Sequence, residues 1–281
     1  HLHGLLSVGH SVSMTHLSVA LHTQGSAMED QWITYPTNLK TKHKFALVNL
    51  AYEERWNSVA KPVVLWVSVP FVDPGPGGFG AEHEVEAFGE VEDRLVDELA
   101  KKAKGLHVAR LRGDGAIRLC FYLPENGAER AAEIVAARLG KREHECAACA
   151  DPQWREYRAL LPTPKQRQWT MDEVLLHQIA GDGNDPTRAR PVEFCLFMHD
   201  EESAGRLARH AARNGFEISR LERSPEAGDL PVMLELTRKM TLEPKGVHAC
   251  SDLLVDLVAK HGGVYDGWST VTDAALNKQA R

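Results

Sequence analysis

The stretch Gly262-Gly263-Val264-Tyr265-Asp266-Gly267-Trp268 lies near the end of the 281-residue chain, directly after a segment with a helical pattern. Asp-Gly is typical of turns, because Gly accepts a positive φ and Asp bonds to its own local backbone. In one interpretation, Tyr265 and Trp268 complete a core around this turn. In the other, the stretch is an exposed aromatic and acidic patch that binds a partner. The first is favoured, since large aromatic side chains are more often packed than displayed.

The alternation of side chains along a strand gives a specific prediction for this stretch. Tyr265 and Gly267 should share one face, and Asp266 and Trp268 should share the other. One ring should then pack on the preceding helix. Asp266 should be exposed or bonded to backbone N–H groups, because an unpaired buried carboxylate is very costly.

Length and composition indicate a globular protein of two ordinary domains. The chain is 43% hydrophobic and 26% charged, and its net charge of −6 argues against a general nucleic-acid binder. Five cysteines, an odd number, fit reduced thiols in a cytoplasm better than a disulfide framework. No apolar run approaches the length of a membrane span.

The first residues differ from the rest. Residues 1–26 hold five of the fourteen histidines and no Lys, Arg, Asp or Glu. The Gly25-Ser26-Ala27-Met28 sequence is typical of a cloning junction, and Met28 is alternatively the natural start. Residues 1–27 are therefore predicted to be a leader or an expression-derived segment that is poorly ordered.

The first domain is predicted over residues 28–164, and its pattern alternates strands and helices. Strands are predicted at 45–52, 62–69, 106–111, 116–123 and 142–148, with amphipathic helices at about 88–99 and 125–139. This order favours an α+β sandwich over a parallel nucleotide-binding sheet. Pro162, Pro164 and the polar residues up to Gln168 indicate a linker.

Two motifs in this domain suggest chemistry that the residues around them do not support. Gly75-Pro-Gly-Gly-Phe-Gly80 matches a dinucleotide fingerprint, but Pro76 lacks an N–H and the glutamates that follow would repel a pyrophosphate. Cys146-Ala-Ala-Cys149 is a lone pair with one adjacent histidine, whereas a closed zinc site needs four ligands. No dinucleotide, cofactor or metal is therefore predicted.

Residues 30–162 resemble the DUF695 family. The resemblance rests on aromatic residues near the start, Gly80 followed by acids, a charged helix, a hairpin turn and a C-terminal aromatic motif. These are Trp32, Tyr35, Gly80, Glu90–Leu95, Asp114-Gly115, Arg118, Phe121-Tyr122 and Asp151–Tyr157. That family has no established chemistry, so the resemblance implies a domain boundary and no mechanism.

The second domain is predicted over residues 165–281. Thr170-Met-Asp-Glu173 matches a capping box, Asp200 can cap the next helix, and Ser251 can cap the last one. With strands predicted at 192–198, 216–221, 230–237 and in the opening stretch, the order is α-βαββαβ. This is a ferredoxin-like arrangement with an added helix. The fold class is therefore α+β, with two α/β-sandwich domains of which the second is ferredoxin-like.

This second domain resembles the regulator of ribonuclease E activity B family over residues 170–270. The resemblance rests on Gly181–Asp185, Val192–Phe194, Asn214–Phe216 and above all Gly262–Trp268. It implies a protein that binds ribonuclease E and inhibits its RNA cleavage without chemistry of its own. The family type is strongly acidic, whereas this domain carries fifteen Lys and Arg against eighteen Asp and Glu.

The leading hypothesis is a cytoplasmic, non-catalytic regulator that binds a protein partner, which the resemblance implies to be a ribonuclease. The candidate binding residues are Tyr265, Asp266, Gly267, Trp268, Asp182, Asp185, Arg206, Arg209 and Arg213. Two alternatives stay open. One is a metal-dependent hydrolase with a site between the domains, its metal held by Asp182, Asp185 or histidines. The other, which the charge does not favour, is direct RNA contact through the second domain's sheet or the 206–213 helix.

Overall fold

The computed structural model describes residues 11–12, 30–37, 44–223 and 228–279. They form two compact units, one within Gln24–Thr163 and one within Pro164–Arg281 that also includes β1 (Ser11–Val12). Each unit has an antiparallel sheet with its own helices, so the α+β prediction is confirmed. The predicted leader, residues 1–27, lies outside the described residues apart from β1, which pairs with the last strand of the second unit.

The N-terminal unit is built on a six-stranded sheet in the order β2-β3-β5-β6-β4-β7. Its strands are β2 (Trp32–Thr37), β3 (Lys44–Asn49), β4 (Val63–Pro70), β5 (Leu106–Gly113), β6 (Ala116–Leu123) and β7 (Glu145–Ala150). Its helices are α1 (Glu82–Ala103), α2 (Ala128–Leu139) and α3 (Arg155–Ala159). The sequence did not predict β2. Pro36 lies inside this strand, and Pro is tolerated there because β2 is at the sheet edge.

The central strands of this sheet are buried on both faces, over two separate cores. Helices α1 and α2 cover one face with aliphatic residues such as Leu95 and Leu99. The other face carries an aromatic core, in which the rings of Tyr122 and Trp154 stack with centroids 3.9 Å apart. The Tyr122 hydroxyl donates to Asp151 Oδ2 at 2.6 Å. The C-terminal aromatic motif of the first domain therefore closes a core.

The glycine-rich loop is held by an acid of the helix that follows it. One carboxylate oxygen of Glu84 accepts from the Val72 N–H at 2.8 Å, and the other accepts from the Asp73 N–H at 3.2 Å. The Glu84 carboxylate thus occupies two backbone N–H donors just before this loop, and its negative charge disfavours a phosphate there. The absence of dinucleotide binding stays a prediction.

The cysteines of the C-x-x-C motif point to opposite faces of the sheet. Cys146 lies opposite Val67, which belongs to the helix-covered core, and Cys149 lies opposite Val64, which belongs to the aromatic core. Directly opposed residues of an antiparallel pair share a face. The two thiols therefore cannot converge on one ion or on each other.

The C-terminal unit has the ferredoxin-like order. Its strands are β8 (Arg190–Met198), β9 (Glu217–Arg223), β10 (Val232–Met240) and β11 (Gly263–Val271), and its helices are α4 (Pro164–Gly181), α5 (Glu201–Ala212), α6 (Pro244–His261) and α7 (Asp273–Gln279). The sheet order is β1-β11-β8-β10-β9, and every pair is antiparallel. The inward residues of β8, β10 and β11 and of α4, α5 and α6 form one core.

Two predicted helix starts in this unit were wrong. Helix α4 begins at Pro164, so Thr170 lies inside it, and its hydroxyl donates to the Gln166 carbonyl one turn back. Helix α6 begins at Pro244, so Ser251 is a buried interior residue. Pro is well suited to a first helical turn, where N–H groups have no partner within the helix. The sequence prediction gave the polar residues more weight than these prolines. The Asp200 cap is confirmed, since its side chain accepts from the Ser203 N–H at 2.7 Å.

The described helices include none that is long and apolar enough to cross a membrane.

Candidate functional site

A β-bulge shapes the Gly262–Trp268 stretch. In β11, Tyr265 lies opposite Leu196 and Gly267 lies opposite Cys195, so Asp266 is an extra residue without a partner. The extra residue resets the alternation, and Tyr265 and Trp268 both point into the core with 8% and 4% of their surface exposed. The prediction that these two rings lie on opposite faces was therefore wrong. Asp266 is exposed, as expected.

Beside this bulge lies a cavity of about 490 Å³, between the first half of α4, the last half of α6 and the start of β11. Its walls are mostly apolar, and its polar groups belong to a few side chains. It is lined by Pro164, Arg167, Gln168, Met171, Asp172, Leu175, Val255, Val258, Ala259 and Gly263 to Trp268. All of these residues belong to the C-terminal unit. The groove, as we call this cavity and its mouth, is the candidate site.

A buried carboxylate fixes the wall of the groove. The indole N–H of Trp268 donates to Asp172 Oδ1 at 2.9 Å, and the Gln168 side-chain amide donates to the same oxygen at 2.8 Å. Burial raises the pKa of the Asp172 carboxyl above its ordinary value, although these hydrogen bonds oppose the shift. The indole is therefore held in one orientation.

Asp172 was not predicted as a site residue, because Thr170-Met-Asp-Glu173 matches a capping box. A detectable signal was present. Asp172 precedes Leu175, Leu176 and Ile179 at helical spacing, so it lies on the buried stripe of α4. An acid in that stripe needs a hydrogen-bond donor, and an aromatic N–H from another element can provide one.

Tyr265 is the second fixed ring of the groove wall. Its hydroxyl lies 3.5 Å from the buried Ser251 Oγ, and burial raises the pKa of the phenol well above its ordinary value. On the adjacent strand, burial and the nearby Asp266 carboxylate raise the pKa of the Cys195 thiol to about 12. Both groups are therefore neutral near pH 7, which suits a binding surface and offers no activated nucleophile.

Asp266 and Gly267 form the rim of the groove at the bulge. Gly267 has a φ of +124°, and a Cβ built on it would meet no atom within 4 Å. The glycine is thus required by its backbone conformation and not by crowding. Among the described residues, no cation lies within 4.0 Å of the Asp266 carboxylate.

The predicted acidic residues Asp182 and Asp185 do not line the groove. Asp182 is exposed just after α4. Asp185 Oδ1 accepts from the Thr187 N–H at 2.9 Å and from its hydroxyl at 2.8 Å. The Thr187 bonds hold the pKa of Asp185 below its usual range. Within the described residues, no three or more His, Cys, Asp or Glu side chains cluster as metal ligands would.

The predicted basic residues Arg206 and Arg209 lie on the exposed face of α5, Arg213 follows directly after this helix, and none of the three lines the groove. Arg206 forms an ion pair with Glu202 and donates to Ser203 Oγ at 2.7 Å. The structure therefore separates the nine predicted site residues into a groove, an acidic loop and a basic helix face.

The C-terminal unit is similar to proteins that regulate ribonucleases. The sequence profile of the family "Regulator of ribonuclease activity B" matches residues 169–270, and that of "Family of unknown function (DUF695)" matches residues 30–161. The Regulator of ribonuclease activity B of Actinobacillus succinogenes is 30% identical over 109 residues, which cover 38% of this chain and 76% of that protein. The protein of the same name from Haemophilus influenzae is 25% identical over 34% of this chain and 63% of its own length. That of Escherichia coli K12 is 26% identical over 39% of this chain and 82% of its own length.

Proposed function

The chain belongs, through its C-terminal unit, to the regulator of ribonuclease activity B family, and on this premise we propose that it binds a ribonuclease and regulates its activity. The observation that carries the proposal is the similarity to the Actinobacillus succinogenes regulator over 76% of that protein. The more specific form of the proposal is that the enzyme is ribonuclease E and that binding lowers its cleavage of RNA. We place this encounter in the cytoplasm, where the five free thiols would stay reduced.

We propose the groove as the docking surface. The stretch on which the resemblance to the family chiefly rests supplies one of its walls, from Gly263 to Trp268. Apolar pockets with fixed aromatic walls and a polar rim are typical of the centre of protein interfaces. A non-catalytic role agrees with the chemistry of the groove, because the Asp172 carboxyl already accepts a hydrogen bond from Trp268 and the Tyr265 phenol is buried. The chain would act by occupying the enzyme's surface.

The test combines binding and cleavage. Ribonuclease E from the organism that encodes the chain is immobilised, the affinity of the full chain is measured by interferometry, and cleavage of a labelled RNA is followed. Ala259→Trp fills the groove from an exposed helix position, so the fold should persist. We expect this variant to lose at least tenfold in affinity and to lose inhibition.

The matched control replaces the basic face of α5, with Arg206, Arg209 and Arg213 all changed to Ala. If the groove is the docking surface, this variant binds like the unaltered chain. The opposite pattern, with Ala259→Trp active and the arginine variant inactive, would move the interface to α5. If neither the unaltered chain nor any variant binds or inhibits the enzyme, ribonuclease regulation is wrong.

A further inference from the structure

The groove combines an apolar interior with one exposed carboxylate at its rim. We infer that it recognises a protein segment in which a large apolar side chain lies next to a lysine or arginine. This inference rests on the proposed function, since it names the chemistry of the segment that the partner would present. The geometry supplies three supports, which concern volume, rigidity and charge.

The volume and lining suit an apolar anchor. At about 490 Å³ the groove lies within the range of sites that bury a ligand group, roughly 300–1,000 Å³. Leu175, Val258 and Trp268 contribute apolar walls. At the mouth, Met171 and Val264 are 40% and 50% exposed, so apolar surface continues outward from the cavity. A large aliphatic or aromatic side chain would cover surface that is now in water.

The wall is already in place before any partner arrives. The Trp268 indole is fixed by Asp172, and Asp172 is fixed in turn by Gln168. Trp268 and Tyr265 both point from β11 into the core and are buried there, so neither ring has to reorganise to receive an anchor. A preformed site avoids the cost of ordering side chains on binding.

The charge at the rim selects the neighbour of the anchor. Asp266 is the unpaired residue of the bulge, it lines the groove, and it is exposed. Asp256 of α6 is paired with Lys165 at 2.7 Å, whereas no described cation lies within 4.0 Å of Asp266. A lysine or arginine beside the anchor would pair with Asp266, and an acidic residue at that position would be repelled by it.

The test uses a random library of twelve-residue peptides displayed on phage. The library is selected separately against the full chain and against the variants Ala259→Trp, Asp266→Lys and Asp182→Lys. The unaltered chain should enrich peptides in which Leu, Ile, Met, Phe or Trp is next to Lys or Arg. Asp266→Lys should enrich acidic neighbours instead. Asp182→Lys is the matched control, because it makes the same charge change at an exposed aspartate outside the groove.

Enriched peptides are then synthesised and titrated by fluorescence anisotropy. We expect Ala259→Trp and Asp266→Lys each to weaken the best peptide at least tenfold, and Asp182→Lys to change its affinity less than threefold. Apolar peptides without a basic neighbour, or a preference that Asp266→Lys leaves unchanged, would overturn the inference. So would a selection in which the unaltered chain enriches nothing beyond what Ala259→Trp enriches.

The two proposals fail separately in these experiments. Apolar and basic peptides that bind the groove, together with a ribonuclease that does not bind, would leave the groove chemistry standing and remove the ribonuclease as the partner. A ribonuclease that binds through the groove, together with peptides that ignore Asp266, would leave the function standing and remove the predicted segment.

Discussion

Trp268 and Asp172 are the pair on which the groove depends at the scale of single residues. The indole donates to a carboxylate that is 1% exposed and far from it in sequence. A buried polar group that loses its partner is costly, so each member stabilises the position of the other. The pair therefore serves stability and recognition together.

We predict that Trp268→Ala destabilises the C-terminal unit by about 3–5 kcal/mol, as for other buried aromatic residues replaced by Ala. Trp268→Phe keeps most of the ring but removes the N–H donor to Asp172, so we expect a smaller loss of about 1–3 kcal/mol. Urea unfolding followed by hydrogen-exchange mass spectrometry reports the unit separately. Trp169→Phe, which removes an indole donor at a half-buried site, is the control and should change stability less. Equal stability of Trp268→Ala and the unaltered chain would contradict the packing described here.

The raised pKa of Asp172 predicts a pH dependence. The folded state holds the proton more tightly than the unfolded state, whose carboxyl titrates near the ordinary value of 3.8. The contribution of this group to stability is therefore full below pH 3.8 and is lost as the pH rises through the folded-state pKa. Asp172→Asn keeps an oxygen for the indole and does not titrate. We expect the free energy of unfolding of Asp172→Asn to rise relative to that of the unaltered chain as the pH rises. Urea unfolding from acid to neutral pH measures both values. A difference between them that does not change with pH would refute this.

At the scale of elements, the bulge in β11 depends on the backbone of Gly267. Its φ of +124° is a conformation that residues with a Cβ rarely adopt, and there is open space where a Cβ would lie. We predict that Gly267→Ala costs about 1–3 kcal/mol through backbone strain alone. Gly181→Ala is the control, because its Cβ also meets nothing within 4 Å and its φ is ordinary. Equal thermal unfolding midpoints for the two variants would show that the bulge tolerates a side chain.

Strand β7 gives a second prediction at this scale. Cys146 and Cys149 both are exposed but point to opposite faces of the sheet. We expect that mild oxidation with diamide produces no disulfide between them within one chain, since the strand holds their side chains apart. Mass spectrometry of a non-reduced digest checks this, with the urea-unfolded chain as the positive control. A linked Cys146–Cys149 peptide from the folded chain would show that β7 does not hold this geometry.

The elements that sequence predicted best are those with an uninterrupted pattern. The hydrophobic spacing of α1 and the Gly113-Asp-Gly115 turn between β5 and β6 were sufficient to place them. The starts of α4 and α6 were missed because proline in a first turn has no hydrophobic period. The bulge was missed because one extra residue shows only in the pairing with β8, which is distant in sequence. Four predicted site residues, Tyr265 to Trp268, therefore lie in the groove wall, whereas Asp172 and the shape of the groove were missed.

At the scale of the whole molecule, each unit has its own core, so we predict that each folds alone. Because α4 begins at Pro164, two fragments that differ only in the first turns of this helix test the prediction. A fragment of residues 164–281 keeps Gln168, which bonds Asp172, and Trp169, which bonds Asp252. A fragment of residues 170–281 lacks both and should be less stable in urea. Fragments of equal stability, or an unfolded 164–281 fragment, would refute this account.

Asp266 makes the two halves of β11 alternate out of phase with each other, because one extra residue lies between Tyr265 and Gly267. Deleting Asp266 alone would leave Tyr265 and Gly267 adjacent, opposite Leu196 and Cys195, so the strand would alternate regularly and Trp268 would still point inward to Asp172. Deleting Asp266 together with Gly267 would instead turn Trp268 outward and leave Asp172 without its indole donor. A deletion of the Asp266 codon should therefore be tolerated better than a deletion of both codons, although the second removes only one residue more.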